Sequence, residues 1–386
     1  MKFALAALLL LFAGRPALST ERPTSEAAAL DAATAALCNR QVAVLGEAEH
    51  GDARTEAFKV ALVQRLVSRC GYSAILFEAS FYEFVQLDRE RRAGRALAPA
   101  QIATAVGGLW KWNHQFQPLL PYLAGEASSG RIRLGGFDFQ RGGREQDFSN
   151  FGVIAELTAE LAPDRRESCR TEFRDLLFKG SNAARRQILA ACLAEMTDLP
   201  PSTDPEVRRE RREMLANLVA FTAADPSQIN SYVASRDREM FANFQRWMAR
   251  CPAGTKAIVW TASAHAARAP HGHKGFEGVR PFGSYLADRY GKKLFALGFA
   301  AQGGTTRGRP QPRIIAPLAP DALEAWAGPI APGGAVYLDD AALARAGSRP
   351  AGLFNHQPVS ADWSSLLDGV VVFPIETAAT DIRTEG

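Results

Sequence analysis

Short apolar segments, separated by stretches with helical spacing, recur along most of the chain. The strand candidates are residues 42–45, 74–77, 131–134, 256–260, 294–299, 335–338 and 369–373. Between the first two, residues 55–69 repeat apolar side chains at the three- and four-residue intervals of an amphipathic helix. Strands that alternate with helices predict an α/β fold, with a largely parallel sheet flanked by helices.

One long region departs from this alternation. From Val153 to Ala249 the sequence is helical in pattern, highly charged and without a clear strand, and Pro200-Pro201-Ser202 interrupts it in the middle. We therefore predict that residues 20–386 form one domain, with an inserted helical subdomain at about 153–249 that covers a cleft.

The N-terminus is typical of an export signal. Lys2 supplies a positive charge, residues 3–12 are apolar, and Ala17-Leu18-Ser19 is a small-residue cleavage site. The apolar segment is too short for a permanent anchor, and no other segment is apolar for long enough to cross a membrane. We predict a signal peptide at 1–19 and a periplasmic or secreted protein with no stable membrane anchor.

Export would permit disulfides, and the five cysteines allow two bridges with one thiol left over. Cys38 and Cys70 each precede a predicted strand, and neighbouring strands would bring them together. Cys169 and Cys192 could join two helices of the insertion. Cys251 also precedes a strand and competes for a place in the first pair. The alternative is that all five are buried thiols.

Composition and charge narrow the class of protein. Hydrophobic residues make up 47% and charged residues 22%, which is typical of a globular chain. The formal net charge is only +4, so there is no electrostatic reason to expect nucleic acid as a partner.

Titratable residues follow four of the predicted strands. Glu47 and His50 follow the first strand, Glu78 the second, Asp138 the third, and His265 the fourth. Because parallel strands present their carboxyl ends at one edge of the sheet, we expect these side chains to lie close together. An imidazole beside a carboxylate can act as a general base near neutral pH.

Two further expectations concern the surroundings of this edge. Glu78 directly follows an Ile-Leu-Phe segment, so we expect it to be partly buried and to require a partner, either His50 or Arg54. Trp110 and Trp112 would line the mouth of the cleft and offer apolar surface to a substrate. The alternative, that both tryptophans belong to the core, stays open.

These residues resemble the erythromycin esterase-like family, from about Gln41 to Thr377. The matching motifs are Leu45-Gly46-Glu47-Ala48-Glu49-His50-Gly51 with Lys59, Phe77-Glu78-Ala79, Leu134-Gly135-Gly136-Phe137-Asp138, Arg236-Asp237 with Met240 and Asn243, Ala264-His265, Phe282-Gly283-Ser284-Tyr285-Leu286 and Leu297-Gly298-Phe299. The resemblance implies an α/β core with a helical insertion around a deep cleft. It also implies hydrolysis of macrolide lactones by histidine-activated water, without a covalent enzyme intermediate, and hence a role in antibiotic resistance.

The resemblance implies a role for individual residues. His50 would be the general base and Glu47 its carboxylate partner, while Glu78 helps to complete the polar site. His265 would lie across the cleft and orient water or stabilise the oxyanion. The candidates for substrate binding are Lys59, Arg54, Trp110 and Asp138.

One position departs from the family pattern. The family has a further histidine three residues before the one that matches His265, and this chain has Ala262 there. His271 and His273 follow a few residues later and could substitute for it.

The predicted function is therefore an exported hydrolase that cleaves a small-molecule ester or lactone and needs no cofactor. No Gly-x-Ser-x-Gly elbow, His-Glu-x-x-His motif, Walker loop or dinucleotide fingerprint is present. Two alternatives stay open. Glu47, His50, Glu78 and His265 are acceptable ligands for a divalent metal, which would make the protein a metal-dependent hydrolase. It could also be an exported ligand-binding protein that has lost turnover, which Ala262 would explain.

Overall fold

The computed structural model of the protein describes residues 24–143, 145–200, 202–268, 276, 278–308, 311–316 and 318–384. The predicted signal peptide, His271 and His273 lie outside the described residues, so these predictions stay predictions.

A seven-stranded sheet forms the centre of the fold, in the order β3-β2-β4-β1-β5-β11-β8. The strands are β1 (Val42–Glu47), β2 (Tyr72–Ser80), β3 (Arg133–Asp138), β4 (Lys256–Ala262), β5 (Leu294–Ala301), β6 (Thr305–Thr306), β7 (Arg313–Ile314), β8 (Val336–Asp339), β9 (Ser348–Phe354), β10 (Gln357–Asp362) and β11 (Gly369–Phe373). All neighbours in the central sheet are parallel except the edge strand β8, which is antiparallel to β11. The predicted α/β fold with a largely parallel sheet is confirmed.

The helices are α1 (Glu26–Cys38), α2 (Ala53–Cys70), α3 (Phe81–Arg92), α4 (Pro99–Val106), α5 (Leu119–Ser128), α6 (Val153–Leu157), α7 (Pro163–Lys179), α8 (Ala183–Asp198), α9 (Pro205–Ala223), α10 (Ile229–Ala249), α11 (Ser263–Ala266), α12 (Phe282–Tyr290), α13 (Leu323–Trp326), α14 (Asp340–Ala346) and α15 (Trp363–Leu366). Helices α6 to α10 occupy the region where the sequence indicated an insertion. In the part of the chain described here, no helix is long and apolar enough to cross a membrane.

The apolar segments became strands because both faces of the sheet are covered. All six residues of β1 and all eight of β5 are buried, so these strands show no alternation of buried and exposed positions, and the only charged residue of the two strands is Glu47 at the end of β1. The third strand begins at Arg133 and not at 131, and it continues through Gly135-Gly136, a pair that resembles a turn signal. A Cβ on Gly136 would lie 2.5 Å from the ring of Phe84, so α3 packs closely here.

Both predicted disulfides are present, Cys38–Cys70 and Cys169–Cys192, and Cys251 keeps a free thiol. The reason given for the first pair was wrong, because β4 lies between β1 and β2. The two cysteines are instead the last residues of α1 and α2, which pack together.

The sequence pattern did not indicate the antiparallel hairpin of β9 and β10. Its turn residues Asn355 and His356 have φ values of 52° and 54°, in the left-handed region that glycine usually occupies. The Asn355 N–H donates to the Ala48 carbonyl at 2.9 Å. The tip of the hairpin therefore lies against the loop that follows β1.

Candidate active site

The sheet order β3-β2-β4-β1 places the ends of four strands side by side. Asp138 is the last residue of β3, Glu78 lies near the end of β2, and Glu47 is the last residue of β1. His265 lies in α11 directly after β4, and His50 lies in the loop that follows β1. The structure thus brings together the five polar residues that the sequence located at strand ends.

Gly46 brings the two histidine-bearing segments close to each other. A Cβ at this position would lie 2.8 Å from the Ser263 Cα and 2.9 Å from the Ala266 Cβ, so only glycine permits the approach. The Ser263 hydroxyl donates to the Gly46 carbonyl at 2.7 Å. The end of β1 is therefore fixed against α11.

Glu47 is the centre of the first cluster. Its Oε1 accepts from the His50 Nδ1 at 2.6 Å and from the Trp110 indole N–H at 2.8 Å. Its Oε2 accepts from the Lys59 ammonium at 2.7 Å, and this ammonium lies 4.1 Å from the centre of the Trp260 ring. Glu47 and Lys59 are buried, whereas 22% of the His50 side chain is exposed. The imidazole thus has its Nδ1 fixed and part of its ring open to solvent.

The charges in this cluster stabilise the ionised forms of Glu47 and His50. Burial would raise the pKa of Glu47, but the charge of Lys59 and the hydrogen bond from His50 lower it overall. Burial would lower the pKa of His50, but the hydrogen bond with Glu47 and the charge of Glu78 raise it above its usual value. Burial dominates at Lys59 and lowers its pKa.

Glu78 is the centre of the second cluster. Its Oε1 accepts from Arg236 at 2.7 Å, and its Oε2 accepts from the Thr261 hydroxyl at 2.7 Å and the Ala262 N–H at 2.9 Å. Burial would raise the pKa of Glu78, but His265 and Arg236 hold it well below its usual range. Glu78 is therefore an anion with four partners around it.

His265 lies between carboxylates. Its Nδ1 lies 2.7 Å from Asp237 Oδ1, and its Nε2 lies 3.4 Å from Glu78 Oε1 and 3.0 Å from the Arg236 Nη1. The Arg236 contact favours a neutral ring, but this guanidinium also contacts Asp138, with Nη2 at 2.7 Å from Oδ2. Burial would lower the pKa of His265, yet Asp237 and Glu78 raise it to about 10. We therefore assign an imidazolium at neutral pH.

The two imidazoles meet at one carboxylate oxygen. Glu78 Oε1 lies 3.9 Å from the His50 Nε2 and 3.4 Å from the His265 Nε2. The first distance is too long for a direct hydrogen bond and suits a bridging water. The site therefore offers a carboxylate-paired histidine and a protonated histidine on either side of the same oxygen atom.

The four candidate substrate-binding residues have different surroundings. Arg54 does not pair with Glu78, because its guanidinium contacts Glu26 at 2.6 Å and the Gly334 carbonyl at 3.1 Å. Lys59 bonds to Glu47 and Asp138 to Arg236.

The tryptophans also differ from expectation. Trp110 is fully buried and does not line the mouth of a cleft. Its ring instead meets the His50 ring edge-on, with 5.3 Å between centroids. Trp112 is half-buried between the charged groups of Lys111 and Arg383.

Arg236 and Asp237 were missed as site residues, although they were part of the family motif. Both come from the first turns of α10, in the helical region. A signal was present: Asp237 falls on the buried stripe of this helix together with Met240 and Phe244. A carboxylate on an apolar helical stripe requires a charged or hydrogen-bonded partner.

The carboxylates of the cluster are already paired with cationic side chains. Among the described residues, no group of three or more His, Cys, Asp or Glu side chains could hold a metal ion. The oxygens of Glu47 and Glu78 already bond to Lys59 and Arg236, respectively.

A comparison with protein families identifies the class. The family model described as erythromycin esterase matches residues 67–356, which is most of the chain and includes Glu78, Arg236 and His265. The chain therefore belongs to the erythromycin esterase family. The matched range begins after Glu47 and His50. No curated protein sequence matches the chain.

Solved structures share the fold. A Bacillus cereus protein superposes with a TM-score of 0.69 at 16% identity, over 93% of this chain and 95% of its own. A mutant of the erythromycin esterase EreC in its open conformation superposes with a TM-score of 0.69 at 15% identity, over 94% of this chain and 99% of its own. A protein named for succinoglycan biosynthesis superposes with a TM-score of 0.68 at 14% identity, over 92% of each chain. At these identities the likeness concerns the fold alone.

Proposed function

We propose that this protein is a hydrolase that cleaves a small carboxylic ester or lactone with water activated by His50. The observation that carries the proposal is the pair of histidines on either side of Glu78, one bonded to Glu47 and one between Asp237 and Glu78. The surroundings raise the pKa of both histidines, and that of His265 to about 10, so His50 can act in its neutral form at a pH where His265 is still a cation. His50 takes a proton, and His265 stabilises negative charge.

The reaction begins with a water held between the His50 Nε2 and Glu78. The His50 Nε2 accepts a proton from this water while the water oxygen attacks the ester carbonyl carbon. Glu47 stabilises the resulting imidazolium of His50. The carbonyl oxygen becomes an oxyanion that the cationic His265 stabilises. The bond from carbon to the leaving oxygen then breaks, and this oxygen takes the proton from His50. The products are a carboxylic acid and an alcohol, or one hydroxy acid from a lactone.

Family membership supports an ester or lactone as the substrate, and the name of EreC refers to erythromycin. The position that is Ala262 in this chain contributes its backbone N–H to Glu78, and no imidazole is available there. We therefore propose ester or lactone hydrolysis as the activity and treat macrolides as one substrate class to be tested.

We also propose that the reaction needs no metal and takes place outside the cytoplasm. The ammonium of Lys59 and the guanidinium of Arg236 already supply positive charge to the two carboxylates that a metal would use. The two disulfides favour an oxidising compartment, such as the periplasm or the external medium.

The test is a hydrolysis screen of purified protein on aryl esters, alkyl esters, small lactones and a macrolide, with and without a strong chelator. We expect turnover of at least one ester or lactone, unchanged by the chelator. Activity abolished by the chelator and restored by a divalent metal would contradict the metal-free mechanism. Tight binding of these compounds without any turnover would show a ligand-binding protein and overturn the proposed function.

A further inference from the structure

A separate cavity of about 280 Å³ opens beside His265. Its walls come from four parts of the chain: α10, α11, the segment before α12 and the β9–β10 hairpin. The apolar residues in these walls include Val233, Ala264, Phe276, Val279, Phe354 and Val359. None of them belongs to the charged clusters around Glu47 and Glu78.

The cavity lies within reach of the reacting groups. It shares His265 with the candidate active site, and the His265 Nε2 lies 3.4 Å from the same Glu78 oxygen that lies 3.9 Å from the His50 Nε2. Asn355, which also lines the cavity, donates its N–H to the Ala48 carbonyl, two residues before His50. His265 and Asn355 therefore place this space next to the two histidines of the candidate active site.

The described walls of the cavity favour an uncharged occupant. The rings of Phe276 and Phe354 meet edge-on, with 5.1 Å between centroids, and Val279 and Phe354 are buried. Asp237 is the carboxylate in the walls; its Oδ1 bonds to His265 and to the Phe282 N–H, and its Oδ2 is shielded from solvent. The charge of His265 is already matched by Asp237 and Glu78, so an anionic group here would lose its hydration without gaining an unpaired cation among the described wall residues.

We propose that this cavity binds the acyl group of the substrate, so that the protein prefers esters of uncharged aromatic or branched aliphatic acids. The inference rests on the proposed function and names its substrate class. The volume lies just below the roughly 300 Å³ at which pockets begin to hold drug-sized ligands, so it suits one ring or a short branched chain. The acyl side is favoured because His265, which faces the carbonyl oxygen, forms part of the wall.

The experiment compares kcat/KM for p-nitrophenyl 3-phenylpropanoate, acetate and hemisuccinate. We expect the wild type to favour phenylpropanoate over acetate about tenfold or more, which one well-filled apolar pocket supplies, and to disfavour the anionic hemisuccinate. Val359→Phe and Val233→Phe fill the cavity from different elements, and each should lower the phenylpropanoate-to-acetate ratio about tenfold. The matched control Val207→Phe, at an exposed position of α9, should keep the wild-type ratio.

Two outcomes would overturn the inference: a preference for hemisuccinate, or an unchanged ratio in both filled variants. Binding of the uncleaved 3-phenylpropanamide, measured by calorimetry, separates this inference from the proposed function. If no ester is hydrolysed, the proposed function fails, whereas amide binding that is lost in Val359→Phe and kept in Val207→Phe still supports the cavity. If all variants bind the amide equally well, the proposed binding role of the cavity is refuted, whether or not any ester is hydrolysed.

Discussion

Lys59 should be essential for stability as well as for activity, and Lys59→Met tests this. The ammonium of Lys59 is fully buried 2.7 Å from Glu47 Oε2, and 2% of the Glu47 side chain is exposed. Methionine has a similar length and can occupy the apolar space against Trp260. The substitution therefore removes the charge and leaves Glu47 with only His50 and Trp110 as partners.

The expected magnitude follows from that burial. Removing one partner of a buried ion pair costs about 3–5 kcal/mol, because the remaining charge stays buried without compensation. Two donors still bond to Glu47 Oε1, so we expect Lys59→Met to lower the free energy of unfolding by about 3 kcal/mol, the lower end of this range. Adding Glu47→Gln to Lys59→Met removes the carboxylate that is left without its partner. The double variant should therefore be about 2 kcal/mol more stable than Lys59→Met alone.

The assay is urea unfolding followed by circular dichroism and tryptophan fluorescence, with the two signals required to coincide. Lys179→Met is the matched control, because Lys179 pairs with Asp175 at 2.8 Å but its side chain is 64% exposed. This control should change stability little. All variants that lack Lys59 or Glu47 should lose most turnover, since the orientation of His50 depends on both.

Two results would refute the reasoning about Lys59. One is a loss of unfolding free energy in Lys59→Met that is no larger than the loss in the exposed control Lys179→Met. The other is a double variant whose loss equals the sum of the two single losses, because additivity means that the two charges do not interact.

Three further predictions concern the indole of Trp110, the pH dependence and the disulfides. Trp110→Phe keeps a ring and removes the N–H bonded to Glu47; kcat should fall about tenfold or more with little change in KM, and an unchanged kcat would contradict a positioning role. The profile of kcat/KM against pH should be bell-shaped. It should rise as His50 loses its proton, at a pH above the usual value for histidine, and fall near pH 10 as His265 loses its proton. A profile that falls from pH 7 to 9 would be inconsistent with these roles. Replacing both Cys38 and Cys70 by serine should cost about 3–4 kcal/mol of unfolding free energy, and peptide mass analysis without reduction should find the Cys38–Cys70 and Cys169–Cys192 pairs.

The central sheet was predictable because its strands are short and buried on both faces, which leaves a local apolar signature. The same regularity made the position of Glu47, Glu78 and Asp138 predictable, since each lies at or near the carboxyl end of a parallel strand. What the pattern could not supply was the strand order. Strand β4 lies between β1 and β2 and pairs with residues about 215 and 183 positions earlier in the chain, and nothing local encodes that pairing.

The parts of the site that escaped prediction are long-range or use polar groups of large side chains. Arg236 is 158 residues from Glu78 in sequence, so its selection over Arg54 depends on how α10 packs. Trp110 was treated as an apolar surface, whereas its indole N–H bonds to Glu47. The β9–β10 hairpin was missed because Asn355 and His356 occupy turn positions for which glycine is the usual signal.

The most direct test of the central claim is the turnover of His50→Ala on an ester that the wild type cleaves. The matched control is His114→Ala, at an exposed histidine outside the site. Removal of a general base typically costs about two to four orders of magnitude in rate. We expect His50→Ala to lose kcat by that factor while it still unfolds cooperatively, with a smaller loss of unfolding free energy than Lys59→Met because Lys59 and Trp110 still bond to Glu47. Its affinity for an uncleaved amide analogue should match that of the wild type and His114→Ala. A His50→Ala protein that retains wild-type kcat would contradict the assignment of His50 as the base.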